Sequence, residues 1–238
     1  MKCAFGENPK KTYGTKRDNS RMTTAAILRE TLFKTQEYLR KKEAAGGDVS
    51  KSPPFNMKLE AMIPVLKREI PLKAHAHAAE DIFTALRIAR EFNLRITLEH
   101  VTEGHLIARE LAKENVPLAV GPIMCNAPKV ELRNMDNSTP GILAAAGCQV
   151  SIITDSPVTR QEFLPIAAGL AVKAGMDPFL ALQAITINPA NSTGIGDRVG
   201  SLEVGKDGDV VIWTADPMTT VGAKAHTTIV DGKIVYQA

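Results

Sequence analysis

The middle of the chain alternates between segments typical of β-strands and segments typical of α-helices. Apolar, strand-like runs lie at 70–77, 95–100, 116–123 and 148–154, and helical patterns follow them at about 80–92, 103–114, 139–146 and 160–174. Strands that alternate with helices at this spacing form βαβ units, whose strands run parallel. The sequence therefore predicts an α/β fold built on a parallel sheet.

The tail of the chain has a different pattern. After a last helix at about 177–185, short apolar runs are separated by the turn residues Asp216-Pro217 and Asp231-Gly232. Such turns between apolar runs predict β-hairpins. We therefore expect a larger domain over residues 1–198 and a small β portion over 199–238.

Three segments precede the alternation. Helical patterns cover about 22–45 and 57–68, whereas residues 8–20 are polar and basic and have the composition of a loop. We expect that loop to be solvated, because clustered lysines and arginines are most often surface residues.

Composition excludes several classes of protein. The formal net charge of +3 is too small to indicate a nucleic-acid or membrane partner. No apolar run approaches the roughly 20 residues of a membrane span, and the first residues lack the apolar core of a signal peptide. Cys3, Cys125 and Cys148 show neither zinc-type spacing nor a disulfide framework. The sequence predicts a cytoplasmic protein.

Three of the strand-like segments end in a residue type that binds metals. His77 follows the first of them, His100 the second and Asp155 the last. In a parallel barrel the carboxyl ends of all strands open on one face, so ligands far apart in sequence converge. Neutral imidazole and carboxylate suit a borderline divalent cation such as Zn²⁺. Such an ion lowers the pKa of a bound water from 15.7 to about 7, and a neighbouring Asp can relay the proton.

Each of these residues also has a simpler interpretation when it is considered alone. His75 and His77 share one face of a strand and could be solvated at its end. His100 could be an interface or helix-capping residue, and Asp155 an N-cap. Glu80 could serve the positive end of the following helix. The metal-site hypothesis would be wrong only if the simpler interpretation held for every one of these residues.

The chain resembles the metal-dependent amidohydrolase superfamily, and in particular its imidazolonepropionase-like branch. The resemblance rests on Lys73-Ala74-His75-Ala76-His77, Leu98-Glu99-His100, Ile153-Thr154-Asp155-Ser156-Pro157, and the segments 184–190, 199–211 and 229–236. It implies a distorted (β/α)₈ TIM-like barrel with a small β-sandwich, and it places strands 5, 6 and 8 at His77, His100 and Asp155. It also implies that the two histidines are metal ligands and that Asp155 is both ligand and proton shuttle.

Other site residues follow from the same resemblance. Glu7 is the expected strand-4 ligand, with Lys2 as the weaker choice, and Glu80 corresponds to an acid/base position of some members. His75 and Cys125 are weaker, substrate-binding expectations. Zinc is the expected metal, with iron or manganese as alternatives. The expected substrate is a small-molecule amide or cyclic amide, hydrolysed by a metal-activated water.

The chain departs from the family at the first-strand metal ligands, and this departure leaves two functional hypotheses. The family's first strand carries a His-x-His pair, but His75-Ala76-His77 has the neighbours of strand 5. The chain therefore corresponds to a partial barrel of about strands 4–8 with a β-sandwich remnant. Its open edge would favour pairing with a second copy or with a complementary N-terminal segment. The alternative to an enzyme is a non-catalytic fragment without the first-strand ligands.

Overall fold

A five-stranded parallel sheet organises the fold. The computed structural model describes residues 1–14 and 20–238. The strands follow chain order in the sheet and are β1 Lys2–Ala4, β2 Leu72–Ala76, β3 Ile96–His100, β4 Leu118–Val120 and β5 Val150–Ile152. The helices are α1 Glu7–Tyr13, α2 Arg21–Ala44, α3 Met57–Leu66, α4 Ala79–Glu91, α5 Ala108–Glu114, α6 Thr139–Ala145, α7 Leu164–Lys173, α8 Pro178–Ala184 and α9 Ile187–Thr193. The predicted α/β class with a parallel sheet is confirmed.

The chain divides into two compact units, Met1–Leu98 and Glu99–Ala238. In the first unit β1 pairs with β2 in parallel, with Ala4 opposite His75. Helix α4 packs its apolar face inward, because Ile82, Leu86 and Ile88 are each at most 1% exposed. Helices and strands therefore share one apolar core in this unit.

The second unit repeats the pattern with other elements. Strands β4 and β5 pair in parallel, with Leu118 opposite Val150. Helices α7 and α8 bury small side chains against β5, and Ala168, Ala171 and Ala181 have no exposed surface. Small residues let these helices approach the strand closely.

The tail forms the predicted hairpins. Strands β6 Val210–Trp213, β7 Ala225–Val230 and β8 Lys233–Gln237 make a three-stranded antiparallel sheet. Every residue of β8 is exposed. The β-sandwich remnant and the domain division at 198/199 stay predictions.

Two local elements differ from the sequence prediction. Helix α1 occupies part of the expected loop 8–20, because Gly6 turns the chain at φ 76° and Glu7 pairs with Lys11 one turn later at 3.4 Å. Residues 15–19 of that loop lie outside the described part of the chain. Helix α9 was not predicted, and Pro189 lies in its first turn. Proline is tolerated in a first helical turn, where its missing N–H has no partner to lose.

None of the helices in the described ranges 1–14 and 20–238 combines the length and apolarity that a membrane crossing requires.

Candidate metal centre

The first unit places two histidines at the end of β2. His75 is 6% exposed and His77 is 3% exposed, and their rings meet edge to face with centroids 4.7 Å apart. Buried imidazoles need polar partners, since an unpaired polar group in the interior destabilises the fold. The solvated interpretation of this strand end is therefore excluded.

Asn8 contacts the first of these histidines. Its Nδ2 lies 3.2 Å from Nε2 of His75, and the backbone N–H of Phe5 donates to the carbonyl of His75 at 2.8 Å. Phe5 lies in the connection between β1 and α1, which Gly6 turns, and Asn8 lies in the first turn of α1. The start of the chain thus holds the end of β2 from one side.

The acidic residues predicted for the first unit are held in ion pairs. Glu7, with a side chain 20% exposed, pairs with Lys11. Glu80 is 59% exposed at its side chain and lies 3.2 Å from Arg21. The proposed acid/base role of Glu80 is not tested by these contacts.

A buried carboxylate next to Glu80 shares the same arginine. The Nε of Arg21 donates to Oδ2 of Asp81 at 3.0 Å, and the Asp81 side chain is only 3% exposed. Burial raises the pKa of Asp81 although the guanidinium opposes that rise. Arg21 therefore ties the start of α2 to the start of α4, directly after His77.

In the second unit His100 has a defined tautomer. Its Nδ1 lies 2.7 Å from the carbonyl oxygen of Gly121, and the N–H of Gly121 donates to the carbonyl of His100 at 3.3 Å. A carbonyl can only accept, so Nδ1 carries the proton and Nε2 carries the lone pair. This is the form in which an imidazole ligates a metal through Nε2.

The backbone around His100 is unusual. His100 has φ 78° and Val101 has φ 49°, in the left-handed region that non-glycine residues rarely adopt. Gly121 has φ 135°, and a Cβ there would lie 2.3 Å from the carbonyl oxygen of Ile153. Only glycine fits at this position, and its carbonyl orients His100.

Asp155 lies in a turn after β5. Its φ is 50°, its side chain is exposed, and its carbonyl accepts from the N–H of Val158 at 2.9 Å. Cys125 lies close enough to sense its charge, because burial first and Asp155 second raise the pKa of the Cys125 thiol. Its Sγ also contacts the sulfur of Met135 at 3.7 Å. The raised pKa disfavours the thiolate form of Cys125.

Three of the predicted residues are buried histidines. Within the described ranges, His75, His77 and His100 are buried and each offers one ring nitrogen to a divalent cation. Glu7 and Asp155 are not members of this set. Imidazole nitrogens suit zinc, iron and other borderline cations, so the donor chemistry fits the expected group.

Three residues that shape these surroundings were not predicted from the sequence. Asn8 contacts His75, Gly121 contacts His100, and Asp81 binds Arg21 at the start of α4. The rule that selected His77, a polar residue just beyond a strand, also applies to Asn8 after β1. No sequence signal reveals the burial of Asp81.

Two known proteins match all or nearly all of the chain, and a third matches about a third of it. An amidohydrolase from Thermotoga maritima MSB8 superposes with a TM-score of 0.94 at 36% identity, over 100% of this chain and 62% of that one. The amidohydrolase tasK of Hapsidospora irregularis is 26% identical over 98% of this chain and 25% of its own length. An imidazolonepropionase of Thermoplasma volcanium is 41% identical over 37% of this chain and 22% of its own.

The chain spans about a quarter of the length of these two curated relatives. The Amidohydrolase family matches residues 66–235, which include β2 to β5 and most of the tail sheet. The chain therefore belongs to the amidohydrolase family.

Proposed function

We propose that this chain forms part of a metal-dependent hydrolase that cleaves carbon–nitrogen bonds of small amides or cyclic amides. The observation that carries the proposal is the burial of the imidazoles of His77 and His100 at the ends of β2 and β3. Membership of the amidohydrolase family and the similarity to imidazolonepropionase support the bond type.

The residues of the chain have distinct roles in this proposal. His77 and His100 ligate the ion, and the Nδ1–H of His100 is anchored on the carbonyl of Gly121, which leaves Nε2 as its ligand atom. Asp155 completes the ligand set and moves the proton from the attacking water to the leaving nitrogen. A bound divalent ion supplies a water of lowered pKa and polarises the carbonyl.

Four further assignments belong to the same proposal. Glu7 is the additional ligand, with Lys2 as the alternative, and Glu80 is an auxiliary acid/base. His75 and Cys125 contact the substrate. Zinc is the proposed ion, with iron or manganese as alternatives, because imidazole and carboxylate suit all three.

The proposed setting of the protein follows from its sequence. We place it in the cytoplasm, where its three free cysteines stay reduced. Pairing with a second copy or with a complementary N-terminal segment would cover the edge of the sheet at β1.

Elemental analysis of the purified chain tests the metal site. We expect about one transition-metal ion per chain, as the imidazole set provides one site. His77→Ala and His100→Ala should lose it. His226→Ala is the matched control, because His226 is exposed in the tail strand β7. A folded wild-type chain without metal, or equal loss in the control variant, would reject the site.

Turnover is tested separately on a panel of linear and cyclic amides. Asp155→Asn should abolish hydrolysis while leaving the circular dichroism spectrum unchanged, because an amide cannot relay the proton. Activity that survives within a few-fold would exclude Asp155 as the shuttle.

A second function is a metal-binding fragment without turnover. The observation that favours it is the coverage of about a quarter of the curated relatives, whose activities reside in longer chains. Bound metal together with no hydrolysis across the panel would select this alternative.

A further inference from the structure

Asn8 and His75 are 67 residues apart in sequence, yet the structure builds a direct contact between them. Ala4 pairs with His75 in the sheet, and the N–H of Phe5 donates to the carbonyl of His75. Gly6 then turns the chain at φ 76°, so that α1 begins at once. This short connection leaves little freedom for where the Asn8 side chain reaches.

The two facing atoms determine the state of the ring. Nδ2 of an asparagine amide only donates, so the ring nitrogen 3.2 Å from it, Nε2 of His75, accepts. A neutral imidazole carries one proton, which then resides on Nδ1. The lone pair of Nε2 is engaged by Asn8.

His100 provides the contrasting case. Its Nδ1 donates to a carbonyl, so its own Nε2 lone pair is oriented for ligation. In His75 the partner is a donor and occupies the lone pair instead. The same tautomer therefore gives a metal ligand at His100 and a hydrogen-bonded, non-ligating ring at His75.

We propose that Asn8 is a positioning residue that fixes the Nδ1–H tautomer of His75 and withholds its Nε2 from the metal ion. Strand β2 then supplies one ligand, His77, and His75 acts as a hydrogen-bond donor through Nδ1. The ligand assignment rests on the proposed function, whereas the tautomer does not.

Long-range ¹H–¹⁵N NMR on the metal-free chain measures the tautomer directly. The chain contains only five histidines, and His75→Gln assigns the His75 signals. We choose about pH 8, above the ordinary histidine pKa of about 6.5, so that the rings are neutral. The wild-type chain should show His75 protonated on Nδ1. Protonation on Nε2 would overturn the proposal.

Asn8→Asp reverses the polarity of the contact. A carboxylate only accepts, so His75 should switch its proton to Nε2. Asn8→Ala should release the constraint and populate both tautomers. Lys11→Ala is the matched control, because it removes the Glu7–Lys11 pair on the same helix without touching Asn8. An unchanged His75 tautomer in Asn8→Asp, or the same change in Lys11→Ala, would contradict the proposal.

Titration with Co²⁺ tests the ligand assignment. His75→Ala should keep the affinity within about threefold of wild type, whereas His77→Ala should lower it by at least tenfold, the scale typical of groups on or next to a metal. Equal losses in both variants would overturn the withholding of Nε2. A wild-type chain that binds no Co²⁺ would reject the proposed function, and the tautomer result alone would then decide the role of Asn8.

Discussion

The two units hold their histidines in different ways. In the first unit His75 and His77 belong to the regular end of β2, and buried side chains and the Asn8 contact hold them. In the second unit His100 and Asp155 have left-handed backbone conformations, with φ 78° and 50°. The histidines of the first unit thus depend on packing, whereas His100 and Asp155 depend on strained turns.

Strain of this kind has an energetic consequence. A non-glycine residue in the left-handed region costs roughly 1–2 kcal/mol, and such conformations persist only where the surroundings enforce them. We therefore expect the positions of His100 and Asp155 in the second unit to be more sensitive to changes in turn geometry. The positions of His75 and His77 in the first unit should be more sensitive to the loss of buried apolar volume.

The largest effect should come from Gly121→Ala. The new Cβ would lie 2.3 Å from the carbonyl oxygen of Ile153, at a φ of 135°. Overpacking and backbone strain together should lower the free energy of unfolding by about 4 kcal/mol. Urea unfolding measures the change.

Gly175→Ala separates strain from collision. Gly175 has φ 104°, but a Cβ there meets nothing within 4 Å. It should cost only about 1 kcal/mol. If the two variants were equally destabilised, the close approach to Ile153 would not constrain the turn that orients His100.

Leu72→Ala tests the packing that holds β2 and its histidines in the first unit. Leu72 is 1% exposed at the start of β2, and truncating a buried leucine typically costs about 2–5 kcal/mol. We expect a loss of about 3 kcal/mol in urea unfolding. Ile234→Ala in β8 is the control, since Ile234 is 62% exposed and should change stability by less than about 0.5 kcal/mol. Similar losses of unfolding free energy in the two variants would mean that burial does not explain the contribution of Leu72.

The sequence was sufficient to predict most elements of the fold. The alternation of apolar runs with helical patterns located β2 to β5 and their helices, because burial on both faces of a parallel strand leaves a clear apolar signal. It could not predict α1 or α9, because each helix is only seven residues long and neither has a side-chain hydrogen bond at its N-cap. It also could not show whether β8 is covered, since an alternating strand has the same pattern in either case.

The site was predictable only in part. His77 and His100 were selected by the rule that parallel strands present their ends on one side, and both prove buried. The partner atoms on Asn8 and Gly121 could not be predicted, because a contact across many residues depends on tertiary register. Tautomers follow from those partners and are therefore invisible in the sequence.

Asp81 offers a smaller test, through pH. Burial raises its pKa, so the folded chain takes up this proton at higher pH than the unfolded chain does. The resulting stability is fully present below the unfolded pKa of about 3.9 and is lost as pH rises through the folded pKa. Relative to wild type, Asp81→Asn should therefore gain stability as the pH rises from 4 to 7.

Glu91→Gln is the control of opposite sign. The Arg29 guanidinium, bound at 2.6 Å, lowers the pKa of Glu91, so its stabilisation is lost as pH falls. Relative to wild type, Glu91→Gln should lose stability as the pH rises from 4 to 7. Parallel pH trends in the two variants would contradict the direction assigned to Asp81.

The smallest effect is expected at Asp155, where strain and chemistry oppose each other. Its φ of 50° favours glycine, and its exposed side chain contributes little packing. Asp155→Gly should therefore raise the free energy of unfolding by up to about 1 kcal/mol, whereas Asp155→Ala keeps the strain and should not. Both variants should lose metal and turnover if Asp155 is a ligand and shuttle. A glycine variant that is more stable but inactive would show that the second unit holds this conformation for function. A less stable one would mean that the aspartate side chain itself holds the turn.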